Sequence, residues 1–295
     1  MKYTLTLIGN SATPLTDELI GAASGALPNS SGPDWLADGI ACDISFETER
    51  DDKVKAALRN QLVGANIDMV VQPAEGRRKK LLVADMDSTI IQQECIDELA
   101  AELGLKEQIA DITERAMRGE IDFEPALLER VGLLKGLPLS ALESVYENRI
   151  TETPGGRALT ATMRKHGATC ALVSGGFTFF TQRIADAVGF DFNRANTLVF
   201  VDDRLSGDVA HPILGRQAKI DALIELRAEL KLPHEATLAI GDGANDLGMI
   251  EEAGLGVAYH AKPVVAEAAD ARIDYGDLSA LLYMQGYRSS EIVTG

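Results

Sequence analysis

Apolar and polar side chains alternate at the start of the chain, with Tyr3, Leu5 and Leu7 on one face, and again at Ile40, Cys42, Ile44 and Phe46. Alternation at period two is the mark of a strand with one face against a core. Residues 16–26 and 51–65 repeat at helical spacing, and residues 67–71 read as a short third strand. Together they predict a small α+β module over residues 1–75. The segment Gln72-Pro73-Ala74-Glu75-Gly76-Arg77-Arg78-Lys79-Lys80 is polar and charged, and is expected to be a solvated connector.

From residue 76 to 295 the pattern changes to strand and helix in alternation, which predicts a parallel sheet with helices on its faces. Four apolar runs, residues 81–84, 170–173, 237–240 and 255–258, have the length of buried strands. The first three lead at once into polar turns: Asp85-Met86-Asp87-Ser88-Thr89, Ser174-Gly175-Gly176 and Gly241-Asp242-Gly243-Ala244-Asn245-Asp246. Ligands of open α/β sheets bind beyond the carboxyl ends of the strands, so these turns should converge on one site. Between the first two strands, helical spacing recurs at Ile96, Leu99, Ala100 and Leu103, at Ile109, Ile112 and Ala116, at Leu127, Leu128 and Val131, and at Leu142, Val145 and Tyr146. This is an inserted helical subdomain over about 92–150, attached where a lid over the site belongs.

The chain has 295 residues and a formal charge of −17. That charge repels nucleic-acid phosphates and anionic lipid, so neither nucleic acid nor membrane is an expected partner, and an anionic ligand would need local cations. No apolar run approaches the roughly 18 residues of a membrane span. Cys42, Cys95 and Cys170 form no CxxC pair, and a cytoplasmic location is expected.

Asp85 and Asp87 stand two apart after a buried strand, and Asp242 and Asp246 four apart after another. Such hard oxygen ligands suit Mg²⁺, while the spacing does not fit a calcium loop. Ser174 and the amides of Gly175 and Gly176 are suited to an anion. Lys219 lies in a helical stretch that Pro212 is expected to open, two turns before the lysine.

In this order the motifs resemble the haloacid dehalogenase-like (HAD) phosphatases over residues 81 to about 280, and with Glu94, Arg130 and Phe177 added they are similar to the phosphoserine phosphatase branch of that family. The resemblance implies a Rossmann-like parallel sheet (HAD fold) with a helical cap. It also implies Mg²⁺-dependent hydrolysis of the small-molecule phosphomonoester O-phosphoserine, the last step of serine biosynthesis. In that reading Asp85 attacks phosphorus and Asp87 exchanges protons with the leaving oxygen and the water. Asp85, Asp242 and the Asp87 backbone carbonyl hold the metal. Ser174, Gly175 and Lys219 bind the phosphate, with Gly176 in the same turn, Asn245 nearby and Asp246 orienting the site's groups. Glu94 meets the substrate ammonium and Arg130 its carboxylate, beside Met117 and Phe123. The front module resembles ACT-like domains, with three strands in view where a full layout has four. It is expected to serve packing, or a homodimer through an exposed edge strand.

Two rival readings use the same residues: a HAD enzyme acting on, or transferring from, another small phosphomonoester, and a non-catalytic amino-acid sensor. The intact set of Asp85, Asp87, Ser174, Lys219 and Asp242 speaks against the sensor.

Overall fold

The computed structural model describes residues 1–117 and 120–294, apart from the side chains of Glu114, Ala116 and Met117. The front module runs β1 (Lys2–Ile8), α1 (Asp17–Gly25), β2 (Asp34–Ala37), β3 (Ala41–Glu47), α2 (Asp51–Gln61) and β4 (Asp68–Pro73). Its antiparallel sheet has the order β2-β3-β1-β4, a βαββαβ arrangement. At the start of α1 the Thr16 hydroxyl accepts a hydrogen bond from the Leu19 amide, and Asp17 and Glu18 favour the helix N-terminus. Leu5, Leu7, Ile44, Val54 and Leu58 are buried between this sheet and its helices. The module therefore has four strands, not the three expected. The extra one, Asp34-Trp35-Leu36-Ala37, is too short to show an alternating pattern and follows a Gly-Pro loop.

The other face of the sheet is not free. Ile8, Leu36, Ala37, Ala41 and Val70 join the core of the following body. Around them the Asp68 carboxylate accepts hydrogen bonds from the amides of Asp274, Tyr275 and Gly276. The Arg77 guanidinium donates to both oxygens of Asp43, at 2.6 and 2.9 Å, and to the Thr6 hydroxyl. Arg288 clasps Asp34 and donates to the Trp35 carbonyl, so the edge strand β2 is engaged by the C-terminal segment. The expected solvated connector is exposed at Pro73, Glu75, Gly76, Arg78 and Lys80, yet several of its head groups are engaged by the larger body. Lys79 is 6% exposed and donates to the carbonyls of Gly76 and Glu235, while Arg78 lies over the Tyr287 ring and pairs with Glu291. A lysine in such a run can be buried when carbonyls elsewhere receive its ammonium, and composition does not reveal those partners.

The larger body continues with β5 (Leu81–Ala84), α3 (Cys95–Glu102), α4 (Lys106–Met117), α5 (Phe123–Leu133), α6 (Leu139–Asn148), α7 (Gly156–Lys165), β6 (Thr169–Phe177), α8 (Thr178–Val188), β7 (Phe192–Asn196), β8 (Leu198–Val201) and β9 (Arg204–Val209). It ends with α9 (Arg216–Glu229), β10 (Thr237–Gly241), α10 (Leu247–Glu252), β11 (Gly256–Tyr259), α11 (Pro263–Ala268), β12 (Ala271–Ile273) and α12 (Ala280–Met284). A parallel sheet of order β12-β11-β10-β5-β6-β7 forms its centre. The four apolar runs are its inner strands, whereas β7 (Phe-Asn-Arg-Ala-Asn) and the three-residue β12 lie at its edges and carry no apolar run. Pro212 does not open α9. It sits in the preceding loop, and α9 begins at Arg216, which puts Lys219 in the first turn.

Helices α3–α6 form the cap, packed through Leu99, Ile109, Leu127, Val131, Leu142 and Val145. The hairpin β8–β9, not expected from the sequence, reaches from the body to the cap. The Gly136 amide donates to the Leu205 carbonyl, the Leu205 amide to Leu137 and the Leu139 amide to Asp203. Gly207, at φ +90°, lets β9 lie close on α5, since a Cβ there would stand 3.1 Å from that of Lys135. Cys42, Cys95 and Cys170 are buried free thiols, and among the described residues no helix is long and apolar enough to cross a membrane.

Candidate active site

The carboxyl ends of β5, β6 and β10 bring three turns together because these strands are adjacent in the sheet. Asp85 leaves β5 and is 4% exposed, followed by an irregular turn over Met86–Ile90 in which Ser88 takes φ +55°. The Asp85, Asp242 and Asp246 carboxylates offer oxygens that lie within 4.8 Å of one another. Lys219 is 2% exposed and places its Nζ 2.6 Å from Asp85 Oδ1 and 2.5 Å from Asp246 Oδ1. The second Asp246 oxygen accepts the Gly243 amide, so Asp246 fixes both the lysine and its own loop. Gly241 is required here, because a Cβ on it would meet the Asp246 carboxyl at 2.4 Å.

These charges oppose one another. Burial pushes the Asp85 carboxyl well up, and the Asp246 charge adds to the rise while Lys219 pulls it down. Burial also opposes the Lys219 ammonium, but the charges of Asp246 and Asp85 outweigh it and hold the lysine protonated. Burial, then the Asp246 charge, raises Asp242 to about 6. Such a crowd of carboxylates around one ammonium suits an additional divalent cation, and with Asp246 spent on Lys219, Asp85 and Asp242 are the oxygens left to hold it.

Asp87 faces the same space. Its Oδ1 accepts the Cys95 amide at 2.8 Å and its Oδ2 the Ser174 hydroxyl at 3.2 Å, while Ser174 Oγ accepts the Gly176 amide. Burial raises the Asp87 pKa against these bonds, which favours the protonated form. Any side chain at residue 176 would strike this cluster, since a Cβ would stand 2.8 Å from Asp87 Oδ2 and 3.0 Å from Ser174 Oγ. The half-buried Asn245 makes no side-chain hydrogen bond among the described residues.

The cap closes over these turns. The Phe123 ring, at the start of α5, lies 3.3 Å from where a Gly175 Cβ would be and 3.2 Å from that of Gly215. Glu94 precedes α3 and accepts the Ser88 hydroxyl at 2.6 Å. The residue is exposed at the mouth of the cleft, with the acidic Asp87 nearby. Burial, then the charge of Asp87, pushes the Glu94 carboxyl up to about 7. Arg130, on α5, donates to the Ala126 carbonyl and is lowered by burial, while Asp97, Glu94 and Asp87 act electrostatically in the opposite direction. Met117 ends α4, and its side chain lies outside the described residues.

Sequence reasoning missed Asn196. This residue ends β7, is 1% exposed and donates through Nδ2 to the carbonyls of Gly175 (2.8 Å) and Leu214 (3.0 Å), while its Oδ1 accepts the Leu214 amide. It ties the Ser174-Gly175-Gly176 segment, which continues β6 instead of forming the expected turn, to the loop that delivers Lys219. A lone asparagine on a polar edge strand carries no sequence signal of such a task.

Comparison with known proteins adds an independent finding. The haloacid dehalogenase-like hydrolase family matches residues 82–251. The chain is 42% identical over 254 residues to the phosphoserine phosphatase of Streptomyces coelicolor, covering 85% of this chain and 62% of that protein. It is 36% identical over 305 residues to the phosphoserine phosphatase of Saccharomyces cerevisiae, covering 99% and 98%. Thus the chain spans less than two thirds of the Streptomyces relative and nearly all of the yeast one. A HAD family hydrolase of Salmonella enterica serovar Typhi has a similar structure, with a TM-score of 0.85 at 30% identity over 96% of this chain and 98% of that one.

Proposed function

The chain belongs to the haloacid dehalogenase-like hydrolases and, within them, to the phosphoserine phosphatase family, and from that membership we propose that it hydrolyses O-phospho-L-serine to L-serine and phosphate. The observation that carries the substrate assignment is the pair Glu94 and Arg130 in the cap, above a floor of Asp85, Asp87, Ser174 and Lys219. A floor built for phosphate needs no such pair, whereas an ammonium and a carboxylate on the same substrate do.

Asp85 attacks phosphorus, the phosphorus–serine oxygen bond breaks, and an aspartyl-phosphate forms. Asp87, raised toward its protonated form, gives its proton to the departing serine oxygen. It then takes a proton from the water that attacks the aspartyl-phosphate, which restores Asp85 and releases phosphate. Lys219, the Ser174 hydroxyl and the Gly175 amide receive the phosphoryl oxygens, where positioning and charge do most of the work. Asp246 holds Lys219 in place, and Asn245 reaches the same region. Mg²⁺, held by Asp85, Asp242 and the Asp87 carbonyl, would neutralise the repulsion between nucleophile and phosphate.

The front module, residues 1–75, is in this reading an ACT-like packing partner of a phosphatase domain spanning 76–295, with the cap inserted at about 92–150. Its four-stranded βαββαβ order and docked sheet face support that role. The test is phosphate release from L-phosphoserine with and without Mg²⁺, beside sugar, nucleotide and aryl phosphates at equal concentration. Magnesium-dependent release with a strong preference for phosphoserine is expected. Equal release from all the esters would discard the substrate, and none from any would discard the phosphatase.

A further inference from the structure

A second cavity lies away from the catalytic cleft, at the junction of the front module and the larger body. It measures about 440 Å³ and is walled by the loop after β1 and by the segments that follow β11 and β12. Its walls are held in place without a ligand. Asp68 takes the three amides of residues 274–276, Asn10 Nδ2 donates to the Tyr275 carbonyl, and His260 is tied through its amide to Ile273 and through Nε2 to Gly276. Preformed walls of this kind are the usual setting of a small-molecule site.

The polar groups facing the cavity have work left to do. The hydroxyls of Tyr259, Tyr275 and Tyr283 have no hydrogen-bond partner among the described residues and none is sealed from solvent, so all three are open to a ligand. Asp277 spends one carboxylate oxygen on the amide and hydroxyl of Ser279 and leaves the other without a partner. Burial, then the charge of Asp277, pushes Tyr259 up to about 12, which keeps it a neutral donor. The lining contains this one carboxylate, three phenol rings, the His260 imidazole with its Nε2 on the Gly276 carbonyl, and no lysine or arginine. A carboxylate among electron-rich ring faces favours a cation with an apolar body and disfavours phosphates and carboxylates. One carboxylate is too few for a divalent metal, which takes more hard oxygens than this lining offers.

We infer that the junction cavity binds a small organic ammonium ion, with Asp277 as its counter-charge and the rings of Tyr259, Tyr275 and Tyr283 around its apolar part. The site is distinct from the catalytic cleft, where Glu94 and the aspartates would also attract a cation, and the test must separate the two.

The probes are n-butylammonium and n-butyrate, titrated against the full chain with Mg²⁺ and inorganic phosphate present to occupy the cleft, and followed by saturation-transfer NMR. Saturable binding of butylammonium is expected, at least about tenfold tighter than butyrate. Asp277→Asn should weaken it about tenfold without changing phosphoserine turnover, and Glu94→Gln should leave it unchanged. Should Asp277→Asn fail to fold, Tyr275→Ser, which removes a 46% exposed ring from the lining, is expected to weaken it instead. The inference is overturned by absent saturation, by equal affinity for butyrate, by loss in Glu94→Gln but not in Asp277→Asn, or by unaltered affinity in Tyr275→Ser.

Discussion

Lys219 and Asp85 form a buried ion pair, Nζ to Oδ1 2.6 Å, so the proposed nucleophile is held by the cation proposed to receive the phosphate. Phosphate binding must redistribute that contact, and the lysine has Asp246 as a second support while it does so.

Lys219→Ala removes the positive charge from between two buried carboxylates. Turnover of phosphoserine should fall by roughly 100-fold or more, the scale of losing one preorganised donor to a transition-state oxygen. Two uncompensated buried charges should also lower the thermal midpoint. Because Mg²⁺ brings charge to the same carboxylates, adding it should raise the midpoint more in the variant than in the parent chain. Thermal unfolding with and without Mg²⁺ checks this, and equal shifts would contradict it.

Asn196→Leu loses both donor bonds to Gly175 and Leu214 while keeping a similar volume. Misplacing the carboxyl end of β6 relative to Lys219 should lower kcat about tenfold or more for phosphoserine and aryl phosphate alike. Steady-state kinetics on the two esters check this. Unchanged kcat, or a loss confined to phosphoserine, would show that the residue does not align the phosphate-binding groups.

Arg130→Ala should act on one substrate only. Losing a charge-assisted grip on a carboxylate costs roughly 1.5–3 kcal/mol, or about 10- to 100-fold in kcat/KM for phosphoserine. An aryl phosphate has no carboxylate to lose, so its turnover should be spared. Parallel losses on both would place Arg130 in the phosphate machinery.

Glu94 sets a pH dependence. Its carboxyl is raised from an ordinary 4.5 to about 7, so the folded chain prefers its protonated form. That contribution to stability is complete below about 4.5 and is lost as pH rises through about 7. Metal-free chain should therefore lose stability between about pH 5 and pH 8, and Glu94→Gln should lose less over the same range. The substrate ammonium selects the charged carboxylate, so the KM for phosphoserine should fall over this interval. Denaturant midpoints and KM measured across the interval test both statements.

The inner strands and the acidic turns that meet at the candidate site were legible because each joins a run of apolar residues to a sharp polar turn, as at Val83-Ala84-Asp85 and Ala239-Ile240-Gly241-Asp242. Their convergence followed from the rule that open sheets bind ligands at one end. What escaped was structure held by partners distant in the chain. β2 is four residues long and paired by β3, and β7 is polar because it lies at an edge. The burial of Lys79 depends on carbonyls at residues 76 and 235, and the task of Asn196 on a loop eighteen residues away. Local pattern carries no trace of any of these.

The hairpin β8–β9 has a mechanical consequence. A cap hung only from its two chain crossings could swing as one piece, but the backbone bonds of Gly136, Leu137 and Leu139 pin the corner between α5 and α6 to the body. Any swing must break those bonds or carry the hairpin along. Opening is therefore cheapest as a flexing of the α3–α4 side while α5 stays where it is. Phe123 and Arg130 ride on α5, so they lie on the anchored side of the cap.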